Sequence, residues 1–197
     1  MAKKSRTHWV VALGIALALV LGMASDAQAA PQILRPSTRP MFFTGGVGPV
    51  FWGLNARSSR WGGRGVYTRF KTGLDFGWHF SGDGEGPAIG ASIEQEFIDF
   101  YFFNPAFKFW YDIEIADMAI YVAPLAKAGY ALATCSRCPT GHYANIGIGV
   151  EGRVVLGDRG MVYLRPLQLD SFMGTRAFYA DWFVLNYSAM LGGGVTF

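Results

Sequence analysis

Charged residues make up only 16% of this 197-residue chain, and the two signs nearly cancel, leaving a formal net charge of +3. With Lys3, Lys4, Arg6 and Asp26 of the N-terminal leader set aside, 14 basic and 13 acidic residues remain, a net of +1. So slight a basic balance argues against a nucleic-acid binder led by electrostatics. Cysteine occurs twice, as Cys135 and Cys138, and none follows the apolar stretch of the leader, so no lipid attachment point is offered. Beyond that leader every apolar run is broken by charge, glycine or proline well before the roughly 18 residues a membrane-spanning helix needs. What is present is apolar bulk: 51% hydrophobic and 16% aromatic residues, with 26 glycines. That composition excludes a disordered tail, and the length predicts one domain with a sizeable core.

The first thirty residues read as a secretory signal. Lys3, Lys4 and Arg6 supply a positive start, Trp9 to Ala24 an apolar stretch, and Ala27-Gln28-Ala29 a small-residue cleavage site. Residues 1–29 are therefore expected to be removed as a signal peptide, with 30–40 a periplasmic linker and 41–197 the folded domain. An exported apolar chain without a helical span is either a soluble all-β domain or a closed barrel that crosses a membrane with strands.

Period-2 alternation runs almost unbroken from Val66 to Phe80. Phe70, Leu74, Phe76 and Trp78 share one face, and Arg69, Lys71, Asp75 and His79 the other. The C-terminus alternates in the same way and ends on an aromatic at Phe197. The rule predicts eight strands: 41–55, 66–80, 88–100, 106–116, 118–133, 143–156, 161–172 and 182–197. Connections at 56–65, 134–142 and 173–181 are long, whereas those at 81–87, around Asp117 and at 157–160 are tight. Short turns on one side and longer loops on the other are the habit of outer-membrane barrels. The second outer loop is the exception, predicted as little more than a turn around Asn104-Pro105. In the seventh strand Leu167 and Leu169 share a face with Arg165, which predicts a bulge or a register error there.

A soluble lipocalin-type barrel shows the same period with its faces exchanged. The girdles decide against it: Phe76, Trp78 and Phe80 gather at one rim, and Phe107, Phe109, Tyr179, Trp182 and Phe183 are expected at the other, which implies two water interfaces. Strand count, loop alternation, glycine-rich inner faces and the closing Leu191-Gly192-Gly193-Gly194-Val195-Thr196-Phe197 together resemble the small eight-stranded OmpA/OmpX-type outer-membrane β-barrels. The resemblance covers residues 41–197. It implies an all-β, eight-stranded antiparallel up-and-down transmembrane barrel in the bacterial outer membrane, with Phe197 closing a signal read by the barrel-assembly machinery. The expected partners are outer-membrane lipid, lipopolysaccharide and that machinery; no nucleic acid, no cofactor and no oligomer is expected.

The inner face is expected to hold Arg69, Lys71, Asp75, Glu94, Glu96, Lys108, Asp112, Glu114, Lys127, Glu151, Arg153 and Arg165. Such charges must be paired or wet. The tight turn after the second strand places Lys71 across from Glu96. The bland reading is a side-chain plug, since an eight-stranded lumen is just wide enough for side chains to fill, and the sharper one is a narrow ion path.

Small barrels also include lipid A palmitoyltransferases and deacylases. His79-Phe80-Ser81 superficially resembles the His-x-Ser of the deacylase, with Glu94 or Glu96 to complete the set. His79 falls at the periplasmic rim, however, away from outer-leaflet lipid A, and His142 at the outer rim has only Ser136 nearby in sequence. The expected reading is therefore not an enzyme. Pro124 and Pro166 interrupt strands, marking a bend or a lateral route through the wall. The aromatic segment Phe97 to Tyr111 reads as a low hairpin in the headgroup region or as a docking patch that includes Phe102 and Phe103. Arg57, Arg60 and Arg64 around Trp61 in outer loop 1 are expected either to pair with lipopolysaccharide phosphates or simply to be solvated. Cys135 and Cys138 are expected to form a small loop disulfide; a metal would need two more ligands, with His142 the one neighbour of the right type, so none is expected.

Overall fold

Alternation between a lipid-compatible face and a polar one leaves each strand with backbone groups to satisfy on both edges, and closure into a ring satisfies them all. A computed structural model describes residues 38–54, 66–82, 84–97, 101–115, 119–134, 140–157, 159–174 and 183–197. The expected signal peptide, the Arg57, Arg60, Trp61 and Arg64 loop, Cys135 and Cys138, and the rim residues Tyr179 and Trp182 lie outside them. The elements are β1 Met41–Trp52, β2 Tyr67–His79, β3 Gly86–Phe97, β4 Tyr101–Glu114, β5 Ile120–Thr134, β6 Gly141–Leu156, β7 Gly160–Gly174 and β8 Phe183–Thr196. They close in sequence order into a single antiparallel barrel. At the seam Met41 N donates to Phe197 O at 3.1 Å and Phe197 N to Met41 O at 2.9 Å, so the last residue completes the ring.

Following the paired residues once round the wall runs from Met41 through Trp78, Ile89, Phe109, Ala126, Ile148, Leu169 and Tyr187 to Phe51. The circuit ends ten residues further along β1, and such a stagger tilts the strands about the barrel axis. Large apolar side chains such as Leu74, Ile93, Phe107, Ile148 and Leu191 stand exposed on the outside. Trp78 and Phe80 meet at a centroid distance of 5.4 Å at the end that carries the short turns, here called the periplasmic end.

Two elements depart from the sequence reading. β4 begins at Tyr101, five residues earlier than expected, so Asn104-Pro105 is strand and not loop. Asn-Pro reads locally as a turn, but Pro105 still pairs with Ile93 of β3. On the other side the β4–β5 ladder pairs Phe103 with Leu132 and next Ala106 with Gly129, keeping register across the proline. As a result Phe107 and Phe109 stand mid-strand rather than at the outer rim. Pro124 is carried in the same way, between the pairs Trp110 with Leu125 and Ile113 with Val122.

The second departure settles the ambiguity in β7. Arg165 pairs with Met190 of β8 but Gln168 with Ser188, and against β6 Leu164 pairs with Gly152 but Leu167 with Val150. One extra residue at Pro166 faces both neighbours, a bulge. Arg165 and Gln168 are fully buried while Pro166 and Leu167 are both exposed. The inward phase therefore switches from Tyr163 and Arg165 to Gln168, Asp170 and Phe172.

Candidate functional site

Inward positions at mid-height carry charge. Lys71 (β2), Lys108 (β4), Lys127 (β5), Arg153 (β6) and Arg165 (β7) face Asp75 (β2), Glu94 (β3), Asp112 (β4), Glu151 (β6) and Asp170 (β7), five of each sign, and all ten side chains are buried. Glu94 is the hub. Its carboxylate accepts Lys71 Nζ at 2.8 Å, Lys108 Nζ at 3.2 Å and Lys127 Nζ, with the guanidinium of Arg165 at 3.8 Å and Gln168 Nε2 at 3.1 Å. Asp75 takes Lys108 at 2.6 Å and Arg165 at 2.7 Å. Asp170 bridges Lys71 at 3.2 Å and Lys127 at 2.9 Å. Glu151 joins Arg153 Nε at 2.6 Å to Arg165 Nε at 2.8 Å, and Arg153 reaches on to Asp112 at 2.8 Å. Buried charge is tolerated only when every ion has partners of this kind.

Two apolar layers bracket the network. On the outer side Phe102, Ala131, Ala133, Tyr143, Phe172 and Val184 form one cluster, with Trp52 packed against it. Trp52 stacks on Phe172 at 5.6 Å and meets the edge of Phe102 at 5.0 Å. On the periplasmic side Phe42, Trp110, Tyr121, Leu125, Val155 and Met161 belong to a second cluster. The Phe42 ring needs bare backbone opposite it: a Cβ on Gly77 would lie 2.1 Å from Phe42 Cζ. Gly147 likewise lets the ion pairs pass, since a Cβ there would lie 2.2 Å from Asp170 Oδ1 and 2.8 Å from Lys127 Cε.

Several expected residues take other roles. The β2–β3 register does set Lys71 opposite Glu96, but the ammonium is held by Glu94 and Asp170, while Glu96 accepts Trp52 Nε1. Strand twist and the inward-pointing Asp170 make the diagonal partners nearer. Arg69 is half-buried at the outer end, its guanidinium 5.1 Å from the Trp52 ring. Glu114 has the inward phase but leaves the network: its Oε1 accepts Ala119 N at 3.0 Å just before β5, where Ala119 has a φ of 56°. Phe102, expected in an outward docking patch, is buried inside the barrel, and Phe97, Phe103, Phe107 and Phe109 are spread along the wall. His79 does not approach Ser81: its Nε2 lies 2.5 Å from Asp112 Oδ2, and Ser81 Oγ donates to Glu85 O. At the outer end the Tyr130 hydroxyl meets His142 Nδ1 on the exposed face.

The residues that sequence reasoning missed are Asp170, Gln168, Asn104, Asn145 and Ser188. Asp170 and Gln168 sit beyond the bulge, where the phase is inverted, and Asn104 belongs to an Asn-Pro pair that reads locally as a turn. Asn104 Nδ2 donates to Asn145 Oδ1 at 3.2 Å, and Lys71 Nζ to Ser188 Oγ at 3.4 Å.

No protein-family model and no curated relative matches the sequence. Solved structures do match. Neisserial surface protein A superposes with a TM-score of 0.55 at 12% identity, covering 80% of this chain and 97% of that one. The fold is that of the small eight-stranded outer-membrane barrels. The attachment invasion locus protein Ail of Yersinia pestis gives 0.52 at 11% identity, covering 81% and 99%. The N-terminal barrel of Pseudomonas aeruginosa OprF gives 0.50 at 12% identity, covering 81% and 98%. Identities this low carry the barrel architecture and nothing about ligands.

Proposed function

We propose that this chain is an integral outer-membrane barrel whose lumen is closed by its own side chains. Its role on this reading is structural or in surface interaction, lipopolysaccharide contact included, and not catalytic. The observation that carries the reading is the hub at Glu94, where cations from β2, β4, β5 and β7 converge between two apolar layers. An ion entering this space would have to displace lysines from a carboxylate they neutralise in low dielectric. Reconstituted into planar lipid bilayers, the protein is expected to give no steady unitary conductance, whereas Glu94→Gln, which takes one of two carboxylate partners from each of Lys71, Lys108 and Lys127, is expected to give intermittent openings. Steady conductance from the unaltered protein would overturn the closed lumen.

The remaining parts of the reading rest on sequence. Residues 1–29 direct export and are cleaved, which the mass of the purified protein checks. Arg57, Arg60, Trp61 and Arg64 contact lipopolysaccharide phosphates; replacing the three arginines by Ala should weaken binding to lipopolysaccharide-containing vesicles several-fold, and unchanged binding would remove that contact. Cys135 and Cys138 are bridged, and Phe197 serves assembly, its ring 6.4 Å from that of Phe76 and its backbone closing the seam. A second reading, a hydrophobic-solute path opening sideways, is favoured by one feature, the β7 bulge that turns both Pro166 and Leu167 outward.

A further inference from the structure

The ladder between β1 and β8, where the ring closes, is short of side chains. It pairs Phe42 to Val47 with Thr196 to Leu191 and resumes at Val50 with Ser188, so no rung joins Gly48 and Pro49 to β8. Pro49 has no N–H to donate. Two neighbouring rungs, Gly45 with Gly193 and Gly46 with Gly192, carry no side chain on either strand, and Thr44 faces Gly194. Cross-strand side-chain pairs are what stabilise a ladder, and here they are missing from both faces. Gly45 and Gly193 share the outward phase of Phe43, Val47, Leu191 and Val195, all exposed, whereas Gly46 and Gly192 share the inward phase of Thr44 and Thr196, both buried. By contrast the β5–β6 ladder runs without a break through fourteen pairs, from Ile120 to Ala133. The ladders interrupted at Pro105, Pro124 and the β7 bulge keep large side chains in register beside the break, such as Trp110 with Leu125 and Leu169 with Tyr187.

One ring covers the bare rungs from inside. Tyr163 of β7 pairs with Gly192, and Gly46 and Gly73 continue that row of inward glycines across β1 and β2. The ring lies over the row: a Cβ on Gly192 would lie 2.5 Å from Tyr163 Cε1, and one on Gly46 2.0 Å from the Tyr163 hydroxyl. An aromatic ring laid over glycine in this way makes good the packing that the missing side chains withhold. The Arg165 guanidinium stands over the ring at 5.3 Å from its centroid. The hydroxyl itself is buried with no hydrogen-bond partner, so the ring is seated by shape and not by a polar contact. On the lipid side the nearest side chain is Leu74, whose Cδ2 would lie 3.2 Å from a Cβ on Gly45. From this geometry we infer that the β1–β8 seam is where the wall parts first, and that Tyr163 is the bolt that holds it shut. Local opening begins where the fewest packed side chains must be undone. At most of the wall, parting two strands unpacks side chains on both faces; at this seam it breaks backbone hydrogen bonds and withdraws one ring that belongs to a third strand. The opening leads from lipid to Tyr163 and Met190, both buried, and gives the barrel a lateral route apart from the β7 bulge and independent of any conduction along the axis.

The test is amide hydrogen exchange, followed by NMR on the folded full chain in lipid bicelles. In the unaltered protein the amides that bridge β1 and β8 between Phe43 and Val47 are expected to exchange at least about tenfold faster than those that bridge β5 and β6. Tyr163→Ala should raise exchange at the seam by a further tenfold or so and leave the β5–β6 amides unchanged, whereas Tyr163→Phe, which keeps the ring and removes only the unpartnered hydroxyl, should match the unaltered protein. Should Tyr163→Ala not fold, Tyr163→Leu takes its place, and the profile of the unaltered barrel decides by itself whether the seam opens first. Equal exchange across the β1–β8 and β5–β6 ladders would overturn the weak seam. A rise of the same size in every ladder on losing the ring, or a Tyr163→Phe protein that behaves like Tyr163→Ala, would overturn the bolt.

Discussion

At the scale of single residues, the lumen is governed by what each charge leaves behind when its partner goes. Removing one member of a buried pair strands the other, at about 3–5 kcal/mol. Glu94→Gln should therefore destabilise the barrel by about that much in urea unfolding from lipid vesicles, because Lys71, Lys108 and Lys127 all lean on that carboxylate. A loss under 1 kcal/mol would show that the network is solvated. Gly77→Ala tests packing in place of charge: a methyl group forced against the Phe42 ring should cost about 1–3 kcal/mol, and the same measurement checks it. Most of the charged cast was legible in the sequence, since inward parity alone selects Lys71, Asp75, Glu94, Lys108, Asp112, Lys127, Glu151, Arg153 and Arg165. Who holds whom was not legible, because a ring of eight strands makes nearest neighbours of residues ninety positions apart, as with Arg165 and Asp75.

At the scale of elements, two strands show why alternation can mislead. In β4 a local turn signal, Asn104-Pro105, lost to the ladder: Pro105 keeps its register with β3, and Asn104 gains buried partners in Glu94 and Asn145. In β7 a single extra residue reverses inside and outside, and no property of Pro166 alone announces on which side of it the phase changes. The bulge predicts the outcome of a deletion. Without Pro166 the extra residue is gone, and Arg165, Leu167, Gln168, Leu169 and Asp170 alternate in and out without a break, so Gln168 and Asp170 keep facing the lumen. Lys71 and Lys127 keep Asp170. The deleted chain is therefore expected to form the compact, heat-modifiable species on electrophoresis; failure to fold would show that the strand needs its bulge. The bulge is also pinned from outside, where the Tyr187 hydroxyl donates to Pro166 O at 2.6 Å. Tyr187→Phe should lower stability by about 1 kcal/mol, read as a shift in the urea midpoint, without disturbing the lumen.

At the scale of the whole molecule, three properties fit together: an apolar outer wall, a lumen of paired charge between aromatic layers, and a β1–β8 ladder that closes the ring. The wall and the strand order were readable from strand period, loop lengths and the closing run of β8 together, because a closed barrel is the one strand architecture lipid permits. The central claim is that the barrel crosses lipid with its charged lumen shut to water. It is tested most directly by cysteine labelling in membranes, one position at a time, in a background carrying Cys135→Ser and Cys138→Ser. Cysteine at Ile148, exposed on the wall, and at Ser188, buried beside Lys71 at the centre of the network, are the informative pair. The account predicts that a lipid-soluble maleimide labels the first and that a charged, water-soluble one labels neither. Rapid labelling of Ser188→Cys by the water-soluble reagent in the folded protein would contradict it.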